Sequence, residues 1–480
     1  MMDVKYRAIS GVLWSSVQQF GVVGFAFIGN LVLARLLSPD DFGCIGLLYV
    51  FISIANTFID GGFGLALIQK KEPTNKDYST IFYWNLAVAI VCYIGLYISA
   101  PFISAFYNVV SLSDLLRVLG LILILNAFSI VQINQQVKRM NFRKMAPIYL
   151  CANFLGITIG IIAAYLGLGI WSLIIQQIII NSFITVSFWI FGKWRPMRCF
   201  DKESFRGLFN YGSMVFLTSM IQTLYTNIQS LIIGRVFSTG ILGYYTQAQK
   251  LENVPVQTLT QIVNQVTFPL YSGFQDDVDR LRENMRKSLK VISYINFGLM
   301  ALLIIIAPSV FRLLFTEKWN DSIPLFQMLC LANMLYTVTT TNLNAIRAAG
   351  RSDVTFYGQL VKKSIGLVLV FIGISFGIYG LMWALVFDMY FHVLINAFLA
   401  KKVLRYSVIE QFTDLFPCYF LALIVAVIVY YATSFIQCHY IVLLILQSVV
   451  FLSLYIWVSY LFSIEGYILI CQIIKDKMKK

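Results

Sequence analysis

One short sequence pattern recurs in this chain, at an interval of 200 residues. The first copy is LARLLSPDDFG, from Leu33 to Gly43, and the second is IGRVFSTGILG, from Ile233 to Gly243. Arginine, serine and glycine hold equivalent positions in both copies without a gap, each time at the end of a long apolar stretch. The repetition predicts two copies of one structural unit, each with an arginine at the end of its first apolar segment.

The composition is that of a membrane protein. Hydrophobic residues make up 59% of the 480 residues, charged residues only 12%, and the mean hydropathy is +0.78. Apolar runs of about 18 residues or more recur along nearly the whole chain, as spanning helices require. Segments such as 121–125 and 173–180 do not alternate apolar and polar residues, which argues against a membrane β-barrel. We therefore predict an all-α polytopic membrane protein whose first apolar segment is retained as a span.

The sequence predicts 14 transmembrane helices. Their ranges are 8–36, 42–69, 79–105, 112–136, 146–167, 169–192, 211–235, 242–270, 291–314, 322–345, 355–376, 379–400, 412–434 and 440–463. Most of the 36 Lys and Arg residues fall in the termini and the even-numbered loops. The exceptions are Arg35, Arg117, Arg235, Lys250, Arg312, Lys318, Lys362 and Lys363. Because cytoplasmic loops carry the excess of Lys and Arg, both termini are predicted to be cytoplasmic, and the net charge of +14 needs no nucleic-acid partner.

The repeat extends beyond the opening sequence, since Ala100-Pro101 recurs as Ala307-Pro308. Apolar residues at three- and four-residue steps over 272–290 add a predicted short amphipathic cytoplasmic helix. Because six spans are an even number, the two repeats are predicted to be parallel, with a substrate path between them and alternating access by rocking. The predicted divisions are an N-terminal six-helix lobe at 8–192, a cytoplasmic linker at 193–210, a C-terminal six-helix lobe at 211–400 and an extra helix pair at 412–463.

Two longer motifs carry a resemblance to a known family. LARLLSPDDFGCIGLLYVF with FIDGGFGLALIQKK, and IIGRVFSTGILGYYTQAQKLENVP, resemble Wzx-type polysaccharide and O-antigen flippases. In particular, the motifs resemble the polysaccharide transporter branch, which includes teichuronic-acid and colanic-acid exporters. This branch belongs to the multidrug/oligosaccharidyl-lipid/polysaccharide (MOP) superfamily. It implies MATE-like lobes and a lipid-linked oligosaccharide flippase. The implied cargo is an undecaprenyl-pyrophosphate-linked sugar unit, moved from the inner to the outer leaflet of the bacterial cytoplasmic membrane for capsule, O-antigen or exopolysaccharide synthesis.

Charged residues within spans are the first candidate binding residues, because such charges usually face a cavity or one another. Arg35 and Arg235 end the equivalent lead helices, and they either reach the headgroups or grip a pyrophosphate. Lys250 lies within the eighth span, where a cavity role is favoured, and Glu252 cannot share its helical face. Asp60 precedes Gly61-Gly62, so it is either a cavity charge or a cap at a helix break. Lys362 and Lys363 are interpreted as reaching the inner membrane surface.

A polar stripe on the seventh span supplies the remaining candidates. Gln222, Thr226 and Gln229 step by four and three residues and therefore share one helical face. Amides and hydroxyls there either bond between helices or line a wet lumen, and the number of polar groups on both lead helices favours the lumen. These are groups that bind a glycan.

Other functions remain as alternatives. A MATE-type drug or cation exporter would need carboxylates in its spans, where acidic residues away from the span ends are few: Asp60, Glu252 and Asp388. A polysaccharide polymerase or glycosyltransferase would need a larger surface loop and a placed acid or base, so we predict a transporter and not an enzyme. No cofactor or metal site is predicted, although Asp60 is a candidate for binding a coupling ion, H⁺ or Na⁺. A polymerase and glycosyltransferases are candidate partners beside the lipid-linked oligosaccharide and the bilayer.

Overall fold

The chain is helical throughout its described part. The computed structural model describes residues 2–192, 194–275, 277–436 and 438–478. Within these ranges it contains 18 α-helices and one short 3-10 turn, Glu317–Trp319, and no strand. The prediction of an all-α protein is therefore confirmed.

The structure divides into two compact units, residues 1–243 and 244–480. The first contains α1 (Met2–Leu36), α2 (Pro39–Asp60), α3 (Phe63–Gln69), α4 (Asn75–Tyr107), α5 (Leu112–Leu119), α6 (Leu121–Lys138), α7 (Phe142–Tyr165), α8 (Trp171–Phe191) and α9 (Lys202–Val236). Helix α10 (Thr239–Ser272) begins at the end of the first unit and continues into the second. The second unit adds α11 (Val278–Leu314), α12 (Ser322–Asn333), α13 (Tyr336–Ala348), α14 (Ser352–Ile374), α15 (Gly377–Leu404), α16 (Val408–Ser434), α17 (Tyr440–Leu461) and α18 (Glu465–Met478).

Twelve segments within the described residues are long and apolar enough to cross a membrane, and the chain is a multi-pass membrane protein. The other two predicted spans correspond to α9 and α10, which have 35 and 34 residues. Both exceed the about 20 residues that a membrane requires, so length permits spanning. Their mean hydropathy is lowered by many amides and hydroxyls. The total of 14 is therefore approximate, and spanning by α9 and α10 stays a prediction.

Several predicted single helices are broken within the membrane-spanning part. The span predicted at 42–69 consists of α2 and α3, because Gly61 and Gly62 adopt left-handed backbone angles with φ of 54° and 74°. Glycine adopts these angles without the Cβ strain that other residues incur. The fourth predicted span is divided into α5 and α6 at Gly120, and the tenth into α12 and α13. The fourth and tenth spans are equivalent in the predicted repeat, and both are interrupted.

The amphipathic segment at 272–290 differs from its prediction. From Val278 onward it belongs to α11, which runs without interruption for 37 residues into the following span. Leu281, Met285 and Leu289 are buried, as their spacing predicts. Asp277 caps the start of α11, since its carboxylate accepts the Arg280 N–H at 3.0 Å. No helix-breaking residue separates the amphipathic part from the span, so one helix forms where two were expected.

Helix α9 belongs to the first unit because the segment before it is fastened to α4. The backbone N–H groups of Met197 and Asp201 donate to the hydroxyls of Ser79 and Thr80, at 2.9 and 3.0 Å. The ring of Phe205 then packs on Trp84, with ring centroids 4.7 Å apart. These contacts place α9 beside α2, α3 and α4. The predicted lobe boundary at 193–210 concerns the sequence repeat and stays a prediction.

Candidate functional site

The two copies of the repeated sequence begin α2 and α10, and both are capped by their serine. The Ser38 hydroxyl accepts the Asp41 N–H at 3.2 Å, while the Asp41 carboxylate accepts the Ser38 N–H at 2.9 Å. This reciprocal capping box stabilises the start of a helix. The Ser238 hydroxyl accepts the Ile241 N–H at 3.1 Å in the second copy. The repeated serine therefore has a structural role, which is to start a helix at the same point of each repeat.

The two helix starts also contact each other within the first unit. The Thr239 hydroxyl donates to the Asp40 carboxylate at 2.6 Å. A Cβ on Gly43 would lie 1.7 Å from the Thr239 carbonyl oxygen, and one on Gly243 would lie 1.8 Å from that of Pro39. Equivalent residues thus exchange the same contact, as a local two-fold relation produces. Only glycine fits at both positions, which explains why the repeat keeps it.

The two repeated arginines lie in the last turns of α1 and α9. Arg35 and Arg235 are both exposed. The Arg235 guanidinium lies over the ring of Phe106, 4.6 Å from its centroid. A cation–π contact of this kind contributes about 0.5–1 kcal/mol at an exposed site. Both arginines are therefore accessible cations at a helix end, and Arg235 is held there by an aromatic ring.

Helix α9 runs antiparallel to α2 and α3 along most of their length. Gly234 is in close contact with the Leu47 side chain, and Gly62 with the Gly212 backbone. Between these two points the hydroxyls of Thr57 and Thr223 are 3.1 Å apart and form a hydrogen bond. Only four residues of α9 are buried in the described structure, so most of its surface is open.

The predicted polar stripe lies on this open surface of α9. Gln222 and Thr226 are exposed, and Gln229 is half-buried. The Thr226 hydroxyl donates to the Gln222 backbone carbonyl at 3.0 Å. That bond satisfies the threonine hydrogen and leaves its oxygen able to accept. The three side chains therefore present amide and hydroxyl groups along one face of a long helix, as predicted.

Asp60 is the last residue of α2 and spans the break to α3. Its carboxylate accepts hydrogen bonds from the backbone N–H groups of Gly62 and Gly64, at the start of α3. A Cβ on Gly64 would lie 2.6 Å from Asp60 Oδ1 and 2.8 Å from Asn134 Nδ2, so both side chains close around this point. A carboxylate at a helix N-terminus is a stabilising cap. The geometry thus supports the structural interpretation of Asp60.

An amide pair in the first unit was not predicted from the sequence. The Asn126 side chain on α6 donates to the Asn56 side chain on α2 at 3.2 Å, and both are half-buried. Asn56, Thr57 and Asp60 lie close together at the C-terminal end of α2, in a largely apolar span. Polar residues three and four apart on one helix share a face, and this pattern was available in the sequence. Together with Asn134 and Thr223 they form a polar cluster among α2, α6 and α9.

In the second unit, Lys250 and Glu252 point in different directions, as their spacing predicts. Lys250 is exposed, whereas Glu252 is 2% exposed and accepts a hydrogen bond from the Asn333 side chain.

Lys362 does not reach the inner membrane surface as the sequence predicted, because its side chain is buried. Within the described residues, no group of three or more His, Cys, Asp and Glu residues is placed to hold a metal ion.

Comparison with known proteins identifies the family. The sequence pattern of the family described as polysaccharide biosynthesis protein matches residues 32–324, more than half of the chain. The chain is 29% identical to the lipopolysaccharide biosynthesis protein WzxC of Escherichia coli K12, over 78% of this chain and 76% of that protein. It is 27% identical to the teichuronic acid biosynthesis protein TuaB of Bacillus subtilis 168, over 74% of each.

A solved structure shows the same fold. The lipid II flippase MurJ in an inward closed conformation superposes with a TM-score of 0.75. The aligned region covers 94% of this chain and 99% of that chain, at 15% sequence identity. At that identity the likeness concerns the fold, and the chemistry of a site has to be argued from the residues present.

Proposed function

This chain belongs to the polysaccharide biosynthesis protein family, and on that premise we propose that it is a lipid-linked oligosaccharide flippase. The proposed cargo is an undecaprenyl-pyrophosphate-linked sugar unit. The protein moves it from the inner to the outer leaflet of the bacterial cytoplasmic membrane, with both termini in the cytoplasm. The relatives named for lipopolysaccharide and teichuronic acid biosynthesis support a role in the supply of a surface polysaccharide.

The observation that carries the proposal is the sign of the accessible charges. Arg35, Arg235 and Lys250 are exposed on α1, α9 and α10. Two carboxylates of the predicted spans are engaged inside the protein, Asp60 as a helix cap and Glu252 with Asn333. A cargo with a pyrophosphate requires cations, and arginine binds phosphate through two parallel hydrogen bonds. An exporter of organic cations requires the opposite arrangement.

The glycan has partners of its own in this proposal. Gln222, Thr226 and Gln229 present amides and a hydroxyl on an open face of α9, where they are placed to contact a polar cargo. The half-buried pair Asn56 and Asn126 extends the same chemistry to α2 and α6. Neutral amides bind sugar hydroxyls in many orientations, because each amide both donates and accepts. The polyprenyl tail needs no polar site and remains in the bilayer.

A transport experiment tests the proposal directly. The purified protein is reconstituted in liposomes with a fluorescent short-chain polyprenyl-pyrophosphate sugar, and movement is followed by quenching of the outer leaflet from outside. We expect faster movement than in protein-free liposomes, and slower movement in Lys250→Ala and Arg35→Ala. Arg117→Ala is the matched control, because Arg117 stacks on Tyr97 at 4.5 Å and pairs with Asp114.

Thermal stability of the purified protein separates the two transporter classes. A ligand that binds only the folded state raises the midpoint by an amount that grows with its concentration over its Kd. We expect the polyprenyl-pyrophosphate sugar to raise the midpoint and a quaternary ammonium compound to leave it unchanged. The reverse result would reject the anionic cargo in favour of a drug or cation exporter.

A further inference from the structure

Lys362 is a fully buried cation halfway along a membrane-spanning helix. Its side chain is 1% exposed, and it lies ten residues into the 23 residues of α14. At about 1.5 Å per residue this is about 15 Å along the helix axis, too deep for the ammonium to reach the membrane surface from within the protein. An ionisable residue at this depth is costly and is retained for a function or a partner. The surroundings of Lys362 therefore identify what it does.

The neighbours of Lys362 come mainly from α15. The ammonium donates to the Asn396 side-chain oxygen at 2.9 Å, and Asn396 in turn lies 3.4 Å from the Thr339 carbonyl. The Asp388 carboxylate, in a residue 7% exposed, interacts electrostatically with Lys362. His392 lies one turn beyond Asp388, with Nε2 and Oδ1 3.5 Å apart. All of these groups belong to the second unit.

The charges around this cluster do not balance if both basic groups are protonated. The negative charge of Asp388 attracts the Lys362 ammonium. The positive charges of Arg347, near the end of α13, and of Lys363, the next residue on α14, repel it. Lys362 also acts on His392 electrostatically. In a medium of low dielectric constant one carboxylate offsets one positive charge, so two cations beside Asp388 leave one positive charge uncompensated.

We propose that Lys362, Asp388 and His392 form a proton-binding site that couples transport to proton movement. In the closed site the Lys362–Asp388 pair is electrically neutral and His392 carries no charge. When the transport cycle admits water to this part of the second unit, His392 takes up one proton. When the site closes again, the positive charge that Asp388 does not offset makes that proton leave. The inference rests on the proposed function, because it supplies the coupling ion of that transport cycle.

The structure separates this role from two simpler ones. Contact with the cargo is excluded in this conformation, because a side chain 1% exposed has no surface to offer. A sodium site is disfavoured, because the Lys362 ammonium already occupies the Asn396 oxygen that a metal ion would use and repels a second cation. Asp60, the earlier candidate for ion coupling, caps α3 in the first unit and is not part of this cluster.

The first test needs no cargo. The protein is reconstituted in liposomes adsorbed on a sensor, and the charge displaced by a rapid pH step is recorded. We expect the parent to show a transient proton-binding current that Asp388→Asn and His392→Gln abolish. Lys402→Met is the matched control, since Lys402 lies on α15 with Asp388 and His392 but is exposed, and it should retain the current. A full current in Asp388→Asn or His392→Gln would overturn the proposal.

A charge-balanced double variant serves as the control for misfolding. Lys362→Met alone leaves Asp388 buried without its cation, so that variant risks misfolding. The double variant Lys362→Met with Asp388→Asn removes both charges and should keep the thermal midpoint of the parent while losing the current. A folded double variant that still displaces the parental charge would contradict the assignment.

The second test joins the proton site to transport. In liposomes with the polyprenyl-pyrophosphate sugar, an imposed pH gradient should accelerate movement in the parent. In His392→Gln the gradient should have no effect, whereas movement without a gradient continues. Absence of all sugar movement in the parent, with an intact proton current, would reject the proposed function and not the proton site. Gradient-driven acceleration preserved in His392→Gln would reject the proton site and leave the flippase standing.

Discussion

Substitution of Gly43 by alanine tests whether the close contact between the two repeated sequences holds the first unit together. A Cβ at this position would lie 1.7 Å from the Thr239 carbonyl oxygen, and real Cβ atoms essentially never approach a heavy atom below 3.0 Å. The starts of α2 and α10 must therefore separate by about 1.3 Å, the difference between these two distances. The obstacle is backbone, so it cannot rotate away as a flexible side chain would.

The expected loss follows from three contributions. Overpacking of a close contact costs about 1–3 kcal/mol. The hydrogen bond between Thr239 and Asp40, now 2.6 Å, lengthens or breaks, which removes about 1 kcal/mol. Alanine in place of a helical glycine returns about 1 kcal/mol. We therefore expect Gly43→Ala to lower the free energy of unfolding by about 1–3 kcal/mol.

The assay is reversible unfolding of the purified protein in mixed micelles, followed by circular dichroism. Gly24→Ala is the matched control, because Gly24 is also helical and a Cβ there meets nothing within 4 Å. The control should be unchanged or slightly more stable. Gly243→Ala should cost about as much as Gly43→Ala, and the double variant less than their sum, because one separation accommodates both methyl groups. Gly43→Ala as stable as Gly24→Ala would refute the reasoning.

Three further predictions concern charge and polar contacts. Asp414→Asn should lower the free energy of unfolding by about 3 kcal/mol, because the buried Asp414 carboxylate pairs both with Arg286 and with the buried Lys290 ammonium at 3.0 Å, and chemical unfolding measures the loss. The same change at Asp353, in an exposed pair, should leave the midpoint unchanged. Asp60→Ala should lower the free energy of unfolding by about 1 kcal/mol through loss of the α3 cap. Asp60→Asn should retain both stability and transport. A transport defect in Asp60→Asn without a loss of stability would instead support an ion-binding role for Asp60. Gln222→Leu should reduce sugar movement in liposomes without changing the thermal midpoint, since its side chain is exposed, and unaltered transport would remove Gln222 from the proposed glycan site.

The sequence was sufficient for the architecture because local rules decide it. Apolar length predicts a span whatever surrounds it, and 12 of the 14 predicted spans coincide with segments of the described residues that are long and apolar enough to cross a membrane. Ser38 and Ser238 were recognisable as equivalent from the repeat alone, and both proved to start a helix. The break between α2 and α3 was also foreseeable, because Asp60 precedes two glycines. From the sequence, Asp60 was either a cap at a helix break or a charge in a cavity. The hydrogen bonds from the Gly62 and Gly64 N–H groups support the cap.

The tertiary structure decided which of two environments each ionisable residue enters. Lys362 and Lys250 look alike in sequence, since each is a lysine within an apolar stretch, yet Lys362 is buried against Asn396 and Lys250 is exposed. The sequence around residue 362 does not predict its contact with the Asn396 amide on the following helix, 34 residues away. The same holds for the contact of Gly43 with Thr239. The cost or gain of a buried charge is set by atoms that only packing brings within a few ångströms, so the sequence alone determined the spans and the repeat, and the fold determined the partners.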